Sequence, residues 1–403
     1  MHSDAVVLGA SVWGRSLVLT LLAVAAVRDR VPAQDHHAQG HHAQQHHGAP
    51  GLWTLGDVLQ LEQNRGTRSA APRSAMPGRR ASGQGEFSFE VAVTADSLPE
   101  AVKATNPFDG ERGRTVLECA HGGFAHDYRE GRGEVYWALQ GAGILRIGKD
   151  RGQIELVATP AEMRELNLHN ATFFVHDDQP RIAWAANDGG RVFVTDTEGG
   201  LLRTLGRPEL EPYAGDAGYA PTDCAYLDGL LWISDGYGSR FVFAYDLDAE
   251  AWTGQIFGGR AKVPEPGKFG TNHGLTIHDG LLYVAGRYFA RIHSYRPDTS
   301  LVDLFPLPEG SKPCDFEFFE QEGKLYGVAA SLNPAAGSED QGASIYIVDM
   351  ATLNVVSEVK PKDELGLERF SHVHNVFATM DDGKVTLFCQ AWNVGDFAIL
   401  RQL

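Results

Sequence analysis

The stretch 272–295, NHGLTIHDGLLYVAGRYFARIHSY, decides the fold. An apolar run, LTI, follows His273 and Gly274. A tight turn at Asp279-Gly280 comes next, then two further apolar runs, LLYVAG and RIHSY. Apolar runs of four to six residues bounded by Gly and Asp are strand signals, too short for helices. The whole phrase reads as one blade of a β-propeller.

The phrase recurs. Openings of the same kind stand at 119–128 (CAHGGFAHDY), 168–178 (LHNATFFVHDD), 221–229 (PTDCAYLDG), 313–323 (PCDFEFFEQEG) and 373–383 (VHNVFATMDDG). A second strand follows each, of the type VYWAL, IAWAA, LLWISD or KVTLFCQ, and then a third, such as RVFVTD or SIYIVDM. Counting the first stretch, this makes six units, and repeats of this length imply an all-β, six-bladed propeller. The last unit ends at DFAILRQL without a fourth strand. Upstream of the first unit, EFSFEVAV (86–93) alternates Phe87, Phe89, Val91 and Val93 on one face. This orphan strand is expected to complete the last blade and close the ring, which removes open sheet edges. Long helices have no place in residues 86–403.

The N-terminal part reads differently. Arg15 precedes the run SLVLTLLAVAAV (16–27), with Val31-Pro32-Ala33 beyond it. This is the pattern of a signal peptide over 1–33, so the body is expected to be exported, periplasmic or extracellular. An uncleaved anchor over residues 5–27 is the alternative, and the only reading that involves a membrane. Residues 34–85 form a linker: DHHAQGHHAQQHHG (35–48) carries three His pairs able to chelate metal, and the rest is Gly-, Ala-, Arg- and Ser-rich, with LWTLGDVLQLEQ (52–63) a short helix candidate. A net charge of −17 argues against nucleic acid as a partner. With four scattered cysteines and no CxxC, neither a disulfide framework nor a thiolate zinc site is expected. Cys119, Cys224 and Cys314 stand at unit openings and read as buried thiols packing the channel.

A propeller's channel is lined by the starts of its innermost strands, here His121, His169, Asp223, His273, Asp315 and His374. His169, His273 and His374 fall in units two, four and six. Alternate blades of a six-fold ring sit about 120° apart, so the three imidazoles are expected to converge on the axis. Three His with open positions is the pattern of a catalytic zinc site. Asn170, Asn272 and Asn375 flank them as partners for the imidazoles or as oxygen ligands to a harder ion such as Ca²⁺.

The units resemble NHL-type repeats, and their order is similar to that of the peptidyl-α-hydroxyglycine α-amidating lyase family. The likeness covers most of 165–400. It implies a zinc held by His169, His273 and His374. PTDCAY…WISDGYGSR resembles a family phrase that places a catalytic tyrosine at Tyr237, and LYVAGRYFARIHSY one that places a substrate-binding arginine at Arg287. The sequence departs from the family in four ways. No arginine of unit one aligns with the family's first-blade arginine, Arg129 and Arg132 being the nearest candidates. Asn375 follows the third His where the family has Asp. His372 takes the place of a Met. Gly238 takes the place of a cysteine. The implied reaction is cleavage of an α-hydroxyglycine carbinolamide to an amide and glyoxylate by a monomer acting on a small-molecule or peptide substrate. Two other readings remain: a non-catalytic propeller that binds a peptide or protein partner, and a gluconolactonase-like, calcium-dependent hydrolase that uses Asp223, Asp315 and the asparagines.

Overall fold

Turn chemistry explains the fold. In five of the six blades the first hairpin turns on two residues with positive φ: Asp177 and Asp178, Asp228 and Gly229, Asp279 and Gly280, Glu322 and Gly323, Asp382 and Gly383. A two-residue hairpin loop needs this backbone to match the right-handed twist of its strands. Residues 80–403 are described by a computed structural model; the expected signal or anchor, the His-rich tract and the 52–63 helix lie outside the described residues.

Six antiparallel sheets result, in five of which each strand pairs with its neighbour in sequence. Five are four-stranded, one strand more per unit than the repeated phrases mark, because the outer strands (Ile154–Leu156, Leu201–Leu205) are half-exposed and weakly apolar. The sixth joins Val373–Asp381, Lys384–Ala391 and Asp396–Gln402 to Phe87–Thr94, as expected of the orphan strand. Ser82–Gln84 adds a fifth strand to that sheet. It lies before the expected start at 86 and has no apolar alternation to mark it. Side-chain bonds hold it instead: Ser82 Oγ donates to Glu364 at 2.6 Å, and Gln84 N–H to Ser357 Oγ at 2.9 Å.

Innermost strands pack against one another in sequence around the ring, with Val373–Asp381 returning to Phe124–His126. The apolar cores lie between neighbouring blades. Trp137, Trp184 and Trp232, at matching places in the second strands of blades one to three, are all fully buried. Among the described residues the one α-helix is Ala161–Arg164.

Candidate functional site

In a four-stranded meander, the start of the first strand, the end of the second and the start of the third meet at one end. The site is built there. His169, His273 and His374 begin innermost strands, and each sits where the ladder skips a step. Pairing runs from Leu168 to Asn170 and from Val373 to Asn375, so His169 and His374 are each the unpaired residue of a β-bulge, and from Asn272 to Leu275, where His273 and Gly274 are both unpaired. A bulge re-aims a side chain that regular alternation would point elsewhere. Blade five has the same bulge, with Cys314 in it.

The three histidines are 0% exposed. Their ring centroids form a nearly equilateral triangle, 4.6 Å from His169 to His273 and 4.8 Å along the other two sides. His169 Nδ1–H donates to the Thr222 carbonyl at 2.7 Å and His273 Nδ1–H to the Cys314 carbonyl at 2.6 Å, which leaves both Nε2 atoms as lone pairs. His374 has no partner on either ring nitrogen. Burial holds His169 down to about 3, and burial with neighbouring positive charge holds His273 and His374 well below the usual imidazole range. Neutral imidazoles gathered this closely, with an orphaned ring among them, suit a zinc ion; the ring nitrogens that lie within 4.8 Å of one another are those of His121, His169 and His374, so His273 is the more distant of the four.

The flanking asparagines do not orient these rings. Asn375 Nδ2 donates to Asn170 Oδ1 at 3.0 Å and to Asp315, and Asn272 Nδ2 donates to Ser234 Oγ at 2.9 Å and the Phe241 carbonyl at 3.0 Å. Backbone carbonyls hold His169 and His273 instead, a partner that carries no side-chain signature, and His374 has neither. Asp223 accepts from the Leu275 and Cys224 amides at 2.7 and 2.8 Å, and Asp315 from the Phe316 amide at 2.9 Å. With the half-buried Glu317 they form an acidic layer along the inner strands. Burial raises all three carboxyls, Asp315 to about 7.

Tyr237 and Arg287 arrive at the same end on connections between second and third strands. Tyr237 Oη lies 3.0 Å from His273 Nε2, 3.3 Å from His169 Nε2 and 3.2 Å from Arg287 Nη1. Burial pushes the phenol up to about 12, and Arg287 opposes this. Arg287 is 5% exposed, its other contact is Cys314 Sγ at 3.2 Å, and its Nε has no partner. Asp235 shapes the tyrosine's loop: its carboxylate accepts from the Ala220 amide and the Tyr213 hydroxyl, both at 2.7 Å, and from the Ser239 amide. A Cβ at Gly238 would lie 2.1 Å from that carboxylate, so only glycine fits.

His121 and Trp392 complete the mouth. His121 stacks on Trp392 with ring centroids 5.0 Å apart, and lies 4.6 Å from His169 and 4.3 Å from His374. Burial, His169 and Arg287 keep it neutral. The sequence named His121 as channel-lining but gave it no role, because unit one is irregular. Trp392 was not legible at all. Arg129 and Arg132, the candidates for a first-blade arginine, are elsewhere: they follow the far end of Phe124–His126 and pair with Asp127 at 2.7 Å and Glu134 at 3.6 Å. At that end, too, His176, Asp177 and Asp248 cluster, with both carboxylates exposed and His176 Nε2 already 3.3 Å from Asp248.

No protein-family model and no curated protein matches the chain. Among solved structures it is similar to virginiamycin B lyase from Staphylococcus aureus, at 16% identity over 67% of this chain and 78% of that one, with a TM-score of 0.42. It is also similar to a streptogramin B lyase, at 14% identity over 71% of this chain and 95% of that one, with a TM-score of 0.43. At these identities and scores the likeness says nothing of chemistry.

Proposed function

We propose that the site is that of a zinc-dependent lyase that splits a carbinolamide, an N-acyl-α-hydroxyglycine, into an amide and glyoxylate. The observation that carries this reading is the triangle of His169, His273 and His374, fully buried and neutral, with His374 unpartnered on both nitrogens, beside an arginine buried without a carboxylate. A zinc ion held by the three imidazoles would act as a Lewis acid toward the substrate hydroxyl.

The chain's own groups account for the rest. Arg287 is a cation in search of an anion, and a bidentate guanidinium suits the terminal carboxylate of such a substrate. Tyr237 Oη stands between the triangle and Arg287, in reach of a hydroxyl proton. The reaction balances without water or an oxidant. The hydroxyl loses its proton as its C–O bond becomes C=O, the C–N bond breaks, and the amide nitrogen gains a proton. A calcium-dependent alternative has less support, because the Asp223 and Asp315 oxygens already accept backbone amides.

The test is metal content and glyoxylate release of the full chain with its six tract histidines (residues 36–47) replaced by serine. About one zinc per chain is expected, lost in His273→Ala, with glyoxylate released from an N-acyl-α-hydroxyglycine by the parent only. Zinc indifferent to His273 would sink the reading and leave a partner-binding propeller as the better account.

A further inference from the structure

Blade one contributes a fourth histidine to the site, and its role turns on which nitrogen carries its proton. By distance alone His121 is a metal ligand: it, His169 and His374 each offer a ring nitrogen within 4.8 Å of the others. A fourth imidazole would close the coordination shell, and a closed shell is the mark of a structural zinc rather than a catalytic one.

A relay of hydrogen bonds settles the proton. Asp188 N–H, which can only donate, lies 2.8 Å from Asn187 Oδ1, so that atom is the amide oxygen. The same oxygen accepts from Asn167 Nδ2 at 3.1 Å. The second hydrogen of Asn167 Nδ2 points at His121 Nδ1, 2.9 Å away. Nδ1 is therefore an acceptor, and a neutral ring must then hold its one hydrogen on Nε2. His169 and His273 have the opposite tautomer, fixed by carbonyls. Nε2 of His121 faces Tyr237 Oη at 3.4 Å, the oxygen to which Arg287 Nη1 also donates.

We infer that His121 is a hydrogen-bond donor that positions the Tyr237 hydroxyl, and is not a metal ligand. The tyrosine oxygen is held from one side by two donors, His121 and Arg287, and from the other by two bare nitrogens, His169 and His273. Trp392 fixes the plane of the donor ring by stacking at 27°. The catalytic use of this arrangement rests on the lyase reading; the tautomer and the ligand count do not.

The test begins with imidazole ¹⁵N NMR on the full chain, histidine-labelled, with the tract histidines replaced by serine and the His121 signals identified by their loss in His121→Gln. The expected result is a proton on Nε2 of His121, moved to Nδ1 in Asn167→Asp, where a carboxylate would accept it. Zinc content should be the same in the parent, His121→Gln and His121→Phe. With an N-acyl-α-hydroxyglycine, His121→Phe should lower kcat at least tenfold with KM unchanged, and His121→Gln, which keeps an N–H donor, should restore part of it. A proton on Nδ1 in the parent, or zinc lost from both variants, overturns the inference. Should no variant release glyoxylate while the tautomer and zinc content come out as expected, the lyase reading fails and the inference about His121 stands.

Discussion

At the scale of single residues, Arg287 is the most telling, because it is a charge held where a charge is costly. A buried guanidinium without a carboxylate opposes folding, because its bonds to Tyr237 Oη and Cys314 Sγ repay only part of the desolvation. Arg287→Met is therefore expected to raise the denaturation midpoint, by about 1 kcal/mol or more, while losing affinity for carboxylate ligands; a midpoint that falls would mean the arginine is structural. His293 makes a second case, unconnected with the site. Burial and Arg291 hold it at about 3. An unfolded histidine titrates near ~6.5. Below that pH the unfolded chain takes up a proton that the folded one refuses until about 3, so stability falls as pH falls through this window, by up to ~1.4 kcal/mol per unit. His293→Gln keeps an acceptor for the Arg291 Nε–H, 3.0 Å away, and should flatten the slope of Tm against pH between ~6 and ~4. Residues with a spacing or phrase around them, His169, His273, His374, Tyr237 and Arg287, were nameable from the sequence, and the fold gathers them at one end. His121 lines the channel with no motif to give it a role, since what sets it apart is an asparagine relay from blade two, which no local motif records.

At the scale of elements, the strand starts do the positioning. Turn residues made the strands legible, because Asp-Gly pairs at the positive-φ positions recur with the repeat. The bulges were not legible, since a skipped step in a ladder leaves no mark on a run of apolar residues. They suggest a sharp test. Deleting His374 should convert the bulge between Val373 and Asn375 into regular pairing, and the chain should still fold. Deleting Phe377, the same loss of one residue inside the regular ladder with Lys384–Ala391, flips the side chains on one side of the cut to the wrong face and should prevent folding. Circular dichroism melts of the two deletions would separate these outcomes, and equal damage would refute the idea that the bulge is a tolerated insertion. The Tyr237 loop is the other positioning element. Asp235→Ala would orphan the Ala220 and Ser239 amides and the Tyr213 hydroxyl, at an expected cost of about 2–4 kcal/mol.

At the scale of the whole molecule, the ring depends on one pairing between its two ends. Phe89 pairs with Gln402 and Val91 with Leu400, across almost the full described length. The sequence hinted at this through a strand without a unit and a unit without a strand. Ser82–Gln84 escaped notice because polar side chains, not an apolar stripe, attach it to blade five. A separate contact ties blade one to blade six: the Arg151 guanidinium reaches Asp381 at 2.8 Å and the Gly133 carbonyl at 2.6 Å, and covers the Phe388 ring. Loop-closure entropy opposes so distant a contact, so the seam is expected to form after the blades it joins. Without residues 80–94 the strand Asp396–Gln402, which carries Phe397, Ile399 and Leu400, would present unpaired N–H and C=O groups along a sheet edge. A chain lacking 80–94 should therefore associate further than the parent, and a synthetic 82–94 peptide added in trans should restore the parent's size and raise Tm in proportion to the logarithm of its concentration. Sizing chromatography and melts across a peptide titration would read this. A truncated chain that elutes and melts as the parent does would show that the blades hold the ring by their mutual packing alone, and that the terminal strand only decorates the sixth.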